Sequence, residues 1–434
     1  MKFGGTSVGS PQRMKSVVAL IADKEQNFVV LSAMSGTTNS LLEISDYLHK
    51  QNQEGANACI NKLENKYQSH IDELYNTEAY KQKTWDLVHQ IFNHIRSFTK
   101  GEFTEKEEKI IVAQGEMLST NMMTNYLLEQ GYNVALLPAL EFMRTNSDNE
   151  PDQKYIQEKL LHQLSLYPNK DIYVTQGFIC LNSSGEVDNL LRGGSDYTAS
   201  LVGAAIAASE IQIWTDIDGM HNNDPRFVDN TTPVNHLHFD EAAELAYFGA
   251  KILHPTCILP AKYANVPVKL LNTMEPTAPG TVISNMVEHR KIKAVAAKDN
   301  IVAINITSSR MLLAYGFLRK VFEIFEKYKT SIDMICTSEV GVSVSIDDKT
   351  HLSAILDELK KLGVVEVDDN MCIICVVGDL DWRNVGFESI ATQALKDIPV
   401  RMISYGGSNH NISFLVSAYD KKRALESLSK YLFN

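Results

Sequence analysis

The feature that most constrains the fold is a change of rhythm near Val287. Before it, short apolar runs at Phe28 to Leu31, Val134 to Leu137, Ile172 to Thr175 and Ile211 to Asp216 each stand beside a helix-like stretch. Parallel strands need a crossover between them, usually a helix, so this alternation predicts an α/β fold on a mostly parallel sheet sandwiched by helices. After Val287 the units are smaller: strand-like Ile301 to Thr307, helix-like Phe317 to Tyr328, strands Ile332 to Thr337 and Val342 to Ile346, then helix His351 to Leu362. That βαββα order returns as Met371 to Val377, a helix near Phe387 to Leu395, Val400 to Ser404, Ile412 to Ser417 and Lys421 to Tyr431. Two copies of a ferredoxin-like (βαββαβ) unit account for it. The second copy stops after its last helix, so its closing strand comes from elsewhere, and Ile292 to Ala297 is the expected donor. The expected domains are 1–287, 298–370 and 371–434. Two local signals refine the first: Asn52 to Lys109 is polar and helix-favouring, predicting a helical insertion, and Ser10-Pro11 marks a helix start.

Charge and patterning exclude several function classes. The 434 residues carry a formal net charge of -12, which disfavours a general nucleic-acid surface, so any phosphate ligand must be gripped locally. No run of about 18 apolar residues is present, and the first residues lack signal-peptide features, predicting a cytoplasmic protein with no membrane partner. Six cysteines are scattered; Cys372 and Cys375 form a C-x-x-C without a second pair, in a run that reads as a strand pointing them to opposite faces. No metal site is expected of them, nor of His221, His236 and His238.

Six segments carry chemistry. Lys2-Phe3-Gly4-Gly5-Thr6-Ser7 puts a cation and two permissive glycines at a strand end before a helix, where backbone N–H groups can meet phosphate oxygens. Leu31-Ser32-Ala33-Met34-Ser35-Gly36-Thr37-Thr38 follows another strand and is rich in hydroxyls. Gln114-Gly115-Glu116 places a carboxylate near the start of an apolar helix, and Arg192-Gly193-Gly194-Ser195-Asp196 joins a planar cation to a turn in which Ser195 or Asp196 can cap a helix. Trp214-Thr215-Asp216-Ile217-Asp218-Gly219, with Asp224-Pro225-Arg226 beyond it, and Phe248-Gly249-Ala250-Lys251-Ile252-Leu253-His254-Pro255 complete the series. Each alone reads equally well as a structural loop.

Taken in order, KFGGTSVGS, VVLSAMSG, GE, RGGSDYTA, WTDIDG, DPR and FGAKILHP resemble the aspartokinase family of the amino-acid kinase superfamily, over nearly the whole chain. The resemblance implies an amino-acid kinase fold followed by two ACT modules, and transfer of the γ-phosphate of ATP, with Mg2+, to the side-chain carboxylate of L-aspartate. It implies that Lys2 and Asp196 are catalytic, that Ser32, Ala33, Thr38, Glu116, Arg192 and Ser195 bind aspartate, and that Lys2, Gly4, Gly5, Ser7, Thr215, Asp216, His221, Arg226 and Lys251 contact the nucleotide. At His221-Asn222-Asn223 the chain departs from the aromatic or Met and hydroxyl residues of many relatives. A carboxylate nucleophile is already ionised at neutral pH, so positioning and charge neutralisation are the main tasks.

The stretch from Asn305 to Val340 resembles lysine-sensitive aspartokinases. It implies L-lysine as inhibitor, met by Met311, Gly316, Phe317, Leu318, Ser331, Asp333, Ser338 and Glu339 at a subunit interface, in a homodimer or a tetramer built on it. Asp333 and Glu339 can accept from amines, and the turn at Gly316 can offer N–H groups to a carboxylate. The competing reading is a catalytically weak, amino-acid-sensing ACT protein. Against it, Lys2, Glu116, Arg192, Asp196, Asp216 and Lys251 are all present.

Overall fold

The computed structural model describes residues 1–22, 26–190, 193–249, 254–308 and 315–433. Arg192, Lys251 and Met311 therefore lie outside the described residues. The chain divides into two compact units, Met1–Gly219 with Leu253–Asn285 and Met220–Ile252 with Met286–Asn434. Residues 220–249, which the sequence reading grouped with the first domain, thus pack with the C-terminal part.

In the first unit the strands are β1 (Lys2–Phe3), β2 (Asn27–Leu31), β3 (Val134–Leu136), β4 (Ile172–Gln176), the hairpin β5 (Ile179–Leu181) and β6 (Val187–Asn189), and β7 (Ile211–Thr215). After β8 (His236–His238), which belongs to the second unit, come β9 (Val268–Asn272) and β10 (Thr281–Ser284). The sheet of the first unit runs β3-β4-β2-β1-β7-β9-β10. It is parallel except between β9 and β10, as the strand–helix alternation predicts. Its strands end together, and in open α/β sheets ligands bind beyond the carboxyl ends of the strands.

Helix α1 (Pro11–Ile21) starts where Ser10-Pro11 predicts, with the Ser10 hydroxyl accepting from the Arg13 N–H. Helices α2 (Thr37–His49), α3 (Gln53–Leu74), α4 (Glu78–Ser97) and α5 (Glu105–Glu129) follow, so the expected helical insertion is present as α3 and α4. The capping box of Thr104 and Glu107 starts α5 a full three turns before Glu116, which therefore lies in mid-helix and not in the first turn. From Ile111 to Leu127 this helix is buried on nearly every side, so it is a core element. Helices α6 (Gln153–Leu166) and α7 (Gly194–Ala205) complete the N-terminal series.

The second unit contains α8 (Phe239–Tyr247), and the short α9 (Leu259–Ala264) lies in the first. Its remaining strands are β11 (Ile292–Thr307), β12 (Met334–Thr337), β13 (Gly341–Ile346), β14 (Val364–Gly378), β15 (Val400–Tyr405) and β16 (Asn411–Ser417). Its helices are α10 (Phe317–Lys327), α11 (Leu352–Leu359), α12 (Phe387–Ala394) and α13 (Lys421–Phe433). The sheet order is β12-β13-β11-β14-β16-β15. β11 and β14 are long because each serves both halves. Ile292 to Lys298 pairs with Ile373 to Gly378, and Ile301 to Thr307 pairs with Val364 to Met371. Where they pass from one half to the other, Asn300 and Asn370 sit at φ of 63° and 56°, a left-handed conformation that Asn tolerates better than most residues. The half-strand Val364 to Asn370, which closes the first βαββα copy, is acidic and largely exposed, and its sequence carries no clear apolar period.

Candidate active site

β1 lies between β2 and β7, with Lys2 opposite Val30 and Ile213, so its side chain leaves from the middle of the sheet. The Lys2 ammonium stands 2.7 Å from Asp196 Oδ1, both side chains nearly buried. Lys2 is thus a strand residue in an ion pair and not a cation on an exposed loop. Asp196 lies in the first turn of α7, where a negative charge complements the helix dipole. The cap of that helix is Gly193 at φ 73°, with no side-chain cap bond, so neither Ser195 nor Asp196 serves as cap.

After β1 the chain turns at Gly4, whose carbonyl accepts from the Ser7 N–H at 2.9 Å. Gly5 is laced to the loop after β2: the Ser35 N–H donates to the Gly5 carbonyl at 3.1 Å, and a Cβ on Gly5 would fall 2.8 Å from the Ala33 carbonyl oxygen. Only glycine allows that approach. Ser7 is fully buried and its hydroxyl meets that of Thr273 at 2.7 Å, so it braces the turn and does not face an open cavity.

Glu116 reaches the same loop from α5. Its Oε1 accepts the Ala33 N–H at 3.0 Å, while the buried Oε2 has no hydrogen-bond partner among the described residues. Burial pushes its carboxyl up to about 7, against the opposing pull of the Ala33 N–H. A Cβ on the preceding Gly115 would lie 2.8 Å from that of Ala33, so this glycine lets the core helix close on the loop. The Ser119 hydroxyl donates to the Ser32 carbonyl at 2.8 Å and fixes the loop further. Ser195 is buried against Gly177, where an added Cβ would come within 2.5 Å of the hydroxyl oxygen.

These pieces converge. A cavity of about 370 Å³ is lined by Lys2, Ser32, Thr38, Glu116, Ser195 and Asp196 among others, a size suited to a small polar molecule. Its lining includes both the Lys2 cation and the buried carboxyl of Glu116. Thr215 and Asp216 follow on the neighbouring strand end, the Thr215 hydroxyl donating to Asp216 Oδ1 at 3.2 Å, and do not line this cavity. Gly115 and Gly177 were not singled out from sequence, because a glycine's close approach shows only once the packing is known.

The remaining expected residues lie in the second unit. His221 Nδ1 is 2.8 Å from the Thr231 hydroxyl. The Arg226 guanidinium forks onto Asp224, with its Nε 2.9 Å from Oδ1 and an NH2 2.6 Å from Oδ2, so it is already engaged by a carboxylate. Gly316 adopts φ 80° ahead of α10, Phe317 is buried, and Leu318, Ser331, Ser338 and Glu339 are exposed. Asp333 has a fully buried carboxyl that accepts from Lys298 and Tyr247, two residues that sequence reading missed. Lys298 carried a signal: a lone cation at the end of Ala294-Val295-Ala296-Ala297. Among the described residues, His238, Asp240 and His410 form a potential metal-ligand group. The two imidazoles stack 5.4 Å apart at 17°, and His238 Nδ1 accepts the Asp240 N–H.

With this geometry in hand, comparison with known proteins is direct. Residues 1–272 match the amino acid kinase family and residues 374–432 an ACT domain. The chain is 35% identical to chloroplastic aspartokinase 3 of Arabidopsis thaliana, over 100% of this chain and 81% of the relative. It is 32% identical to the lysine-sensitive aspartokinase 3 of Escherichia coli, covering 100% and 98%. The crystal structure of E. coli aspartokinase III with aspartate and ADP superposes with a TM-score of 0.85 at 31% identity, covering 100% of this chain and 99% of that one. A parallel sheet with a lysine on its central strand, a glycine turn after it and a buried glutamate on a core helix, together with this full-length similarity, shows that the chain belongs to the aspartokinase family.

Proposed function

We propose that the cavity holds L-aspartate and that the protein transfers the γ-phosphoryl group of ATP to its side-chain carboxylate, giving 4-phosphoaspartate and ADP. The observation that carries this reading is that Glu116, whose buried Oε2 has no hydrogen-bond partner among the described residues, lines the same cavity as the Lys2–Asp196 pair. A buried acceptor with no donor is costly unless a ligand supplies one, and the α-ammonium of aspartate does so. Arg192 then takes the α-carboxylate, Ser32, Ala33, Thr38 and Ser195 line the pocket, and the β-carboxylate points towards Lys2. No general base is needed. Lys2, held by Asp196, neutralises charge that spreads over the transferring group, and Gly4 and Gly5 let the backbone approach the phosphates. ATP enters as its Mg2+ complex, and Thr215 and Asp216, at the end of the neighbouring strand, are assigned to the nucleotide. The described residues include no helix long and apolar enough to cross a membrane.

The same reading assigns L-lysine as feedback inhibitor, since a relative covering the whole chain is named lysine-sensitive. Its site is the first ACT module, 298–370, where Met311, Gly316, Phe317, Leu318, Ser331, Asp333, Ser338 and Glu339 surround it, in a homodimer paired through these modules; 371–434 forms the second. The test traps the product: hydroxylamine converts an acyl phosphate into a hydroxamate. Hydroxamate formed in step with ADP, only with aspartate present, supports the reading, and ADP release without hydroxamate overturns it.

A further inference from the structure

The helical insertion reaches the loop between β2 and α2 through one turn of α3, where Lys66 and Tyr67 are neighbours. The Lys66 ammonium donates to the Ser35 carbonyl at 3.1 Å, and among the described residues it forms no ion pair. The Tyr67 hydroxyl meets that of Thr37 at 2.9 Å, with both residues fully buried. The Tyr67 ring is set against Phe92 of α4, edge-on at 5.8 Å. Burial pushes its phenol above the ordinary range, so the hydroxyl stays neutral and hydrogen-bonding. Thr37 also packs on α5: its methyl carbon lies 3.6 Å from where a Cβ on Gly115 would stand. Ser35 and Gly36 line the cavity, whereas Lys66 and Tyr67 stand behind them.

The peptide unit between Ser35 and Gly36 gives these contacts a chemical consequence. In a trans peptide the C=O and the N–H point in opposite directions, so a Ser35 carbonyl held on Lys66 aims the Gly36 N–H away from α3. That N–H has no hydrogen-bond partner among the described residues. Gly36 sits at φ 81°, which glycine adopts at little cost, and the only atom near a Cβ built on it is Lys66 Nζ, at 4.0 Å. Packing therefore does not lock this peptide, and Lys66 does. We propose that Lys66 and Tyr67 are positioning residues for the phosphoryl acceptor: they hold Ser35 to Thr37 so that the Gly36 N–H is offered to the dicarboxylate substrate. The inference rests on the reading of the cavity as the aspartate site. An unpaired ammonium beside the start of α2 is unfavourable by itself, because the helix end is also positive, and a bound dianion offsets it. Releasing the peptide loses a donor to bound aspartate but leaves Lys2 and Asp196 in place, so the signature is a change in KM for aspartate without one in kcat.

The test uses the full-length protein with L-aspartate and the Mg2+ complex of ATP. Lys66→Met raises KM for aspartate about tenfold, with kcat and KM for ATP each within about twofold of the wild type. Lys66→Arg keeps a cationic donor and returns KM for aspartate to within about threefold of the wild type. Tyr67→Phe, which removes a neutral hydrogen bond, raises it about threefold. Lys15→Met is the control: Lys15 donates to the Glu73 carbonyl at 2.9 Å, near the far end of α3, so its loss loosens the helix and leaves KM for aspartate unchanged. A KM for aspartate in Lys66→Met that stays within twofold of the wild type, or that rises only as much as KM for ATP, overturns the proposal. So does an equal rise in Lys15→Met. Amide hydrogen exchange judges the clamp apart from turnover: residues 33–38 exchange about tenfold faster in Lys66→Met while 153–166 are unchanged, and unaltered exchange at 33–38 overturns it. If the wild type forms no hydroxamate with aspartate, the aspartate reading falls, and the exchange result still decides whether α3 holds the loop. Should Tyr67→Phe fail to fold, the two variants of half-buried Lys66 carry the test.

Discussion

Two buried carboxylates, one in each unit, are handled in opposite ways. Among the described residues Glu116 forms no ion pair; it accepts from the Ala33 N–H, and burial holds it up to about 7. Asp333 is as deeply buried but has a lysine and a tyrosine on one oxygen. The first is an acceptor kept open, stable only because it can take up a proton until a ligand arrives. The second has one oxygen filled from within, by a cation and a hydroxyl of its own chain. A substrate site and a regulatory site can thus be told apart by who supplies the missing donor.

The largest expected effect breaks the open site. Lys2→Ala lowers kcat by about 10² to 10³-fold, the order expected for removing one preorganised group from developing charge. Since Lys2 is nearly buried with Asp196, the variant also loses up to ~3 kcal/mol of stability, because an uncompensated charge remains. Lys2→Ala/Asp196→Ala recovers much of that stability in denaturant titration but none of the activity. Recovery of turnover in the double variant would remove the pair from the mechanism.

Glu116→Gln sharpens the contrast through pH. A carboxyl whose folded pKa is raised contributes stability below its ordinary value of 4.5, and that contribution is lost as pH rises through about 7. The substitution is therefore nearly neutral at pH 4.5 and stabilising by at most about 3 kcal/mol at pH 8, while KM for aspartate rises at least tenfold at both neutral and alkaline pH. A variant less stable than wild type at pH 8 would show that the second carboxylate oxygen, Oε2, has a donor as well. The smallest effect belongs to the filled site: Asp333→Asn keeps turnover within about twofold, and the concentration of lysine for half inhibition rises by roughly tenfold, as expected for a lost charge-assisted hydrogen bond of about 1.5 kcal/mol. Unchanged lysine sensitivity would move the effector elsewhere.

Sequence carried the fold far because its periods are local. Strand alternation and Ser10-Pro11 are local signals, the repeated βαββα order is a succession of such signals, and the donor role of Ile292 to Ala297 follows from counting strands. What stayed hidden depends on partners far apart in the chain. Glu116 was placed near a helix start because the cap at Thr104 lies within a polar stretch. Ser7 was read as a phosphate donor because Thr273, which holds its hydroxyl, is 266 residues away. Residues 220–249 were grouped by order in the chain, although their packing partners are C-terminal. Lys298 and Tyr247 gained meaning only when Asp333 was seen between them.

The most direct test of the open acceptor is proton release on aspartate binding. With a carboxyl near 7, about half of Glu116 is protonated at pH 7, and an arriving ammonium drives it to the ionised form. Calorimetry in buffers of different ionisation enthalpy should then show release of about 0.5 proton per aspartate at pH 7, falling towards zero by pH 9 and absent in Glu116→Gln. Aspartate that binds the wild type at pH 7 with no proton released would contradict the account.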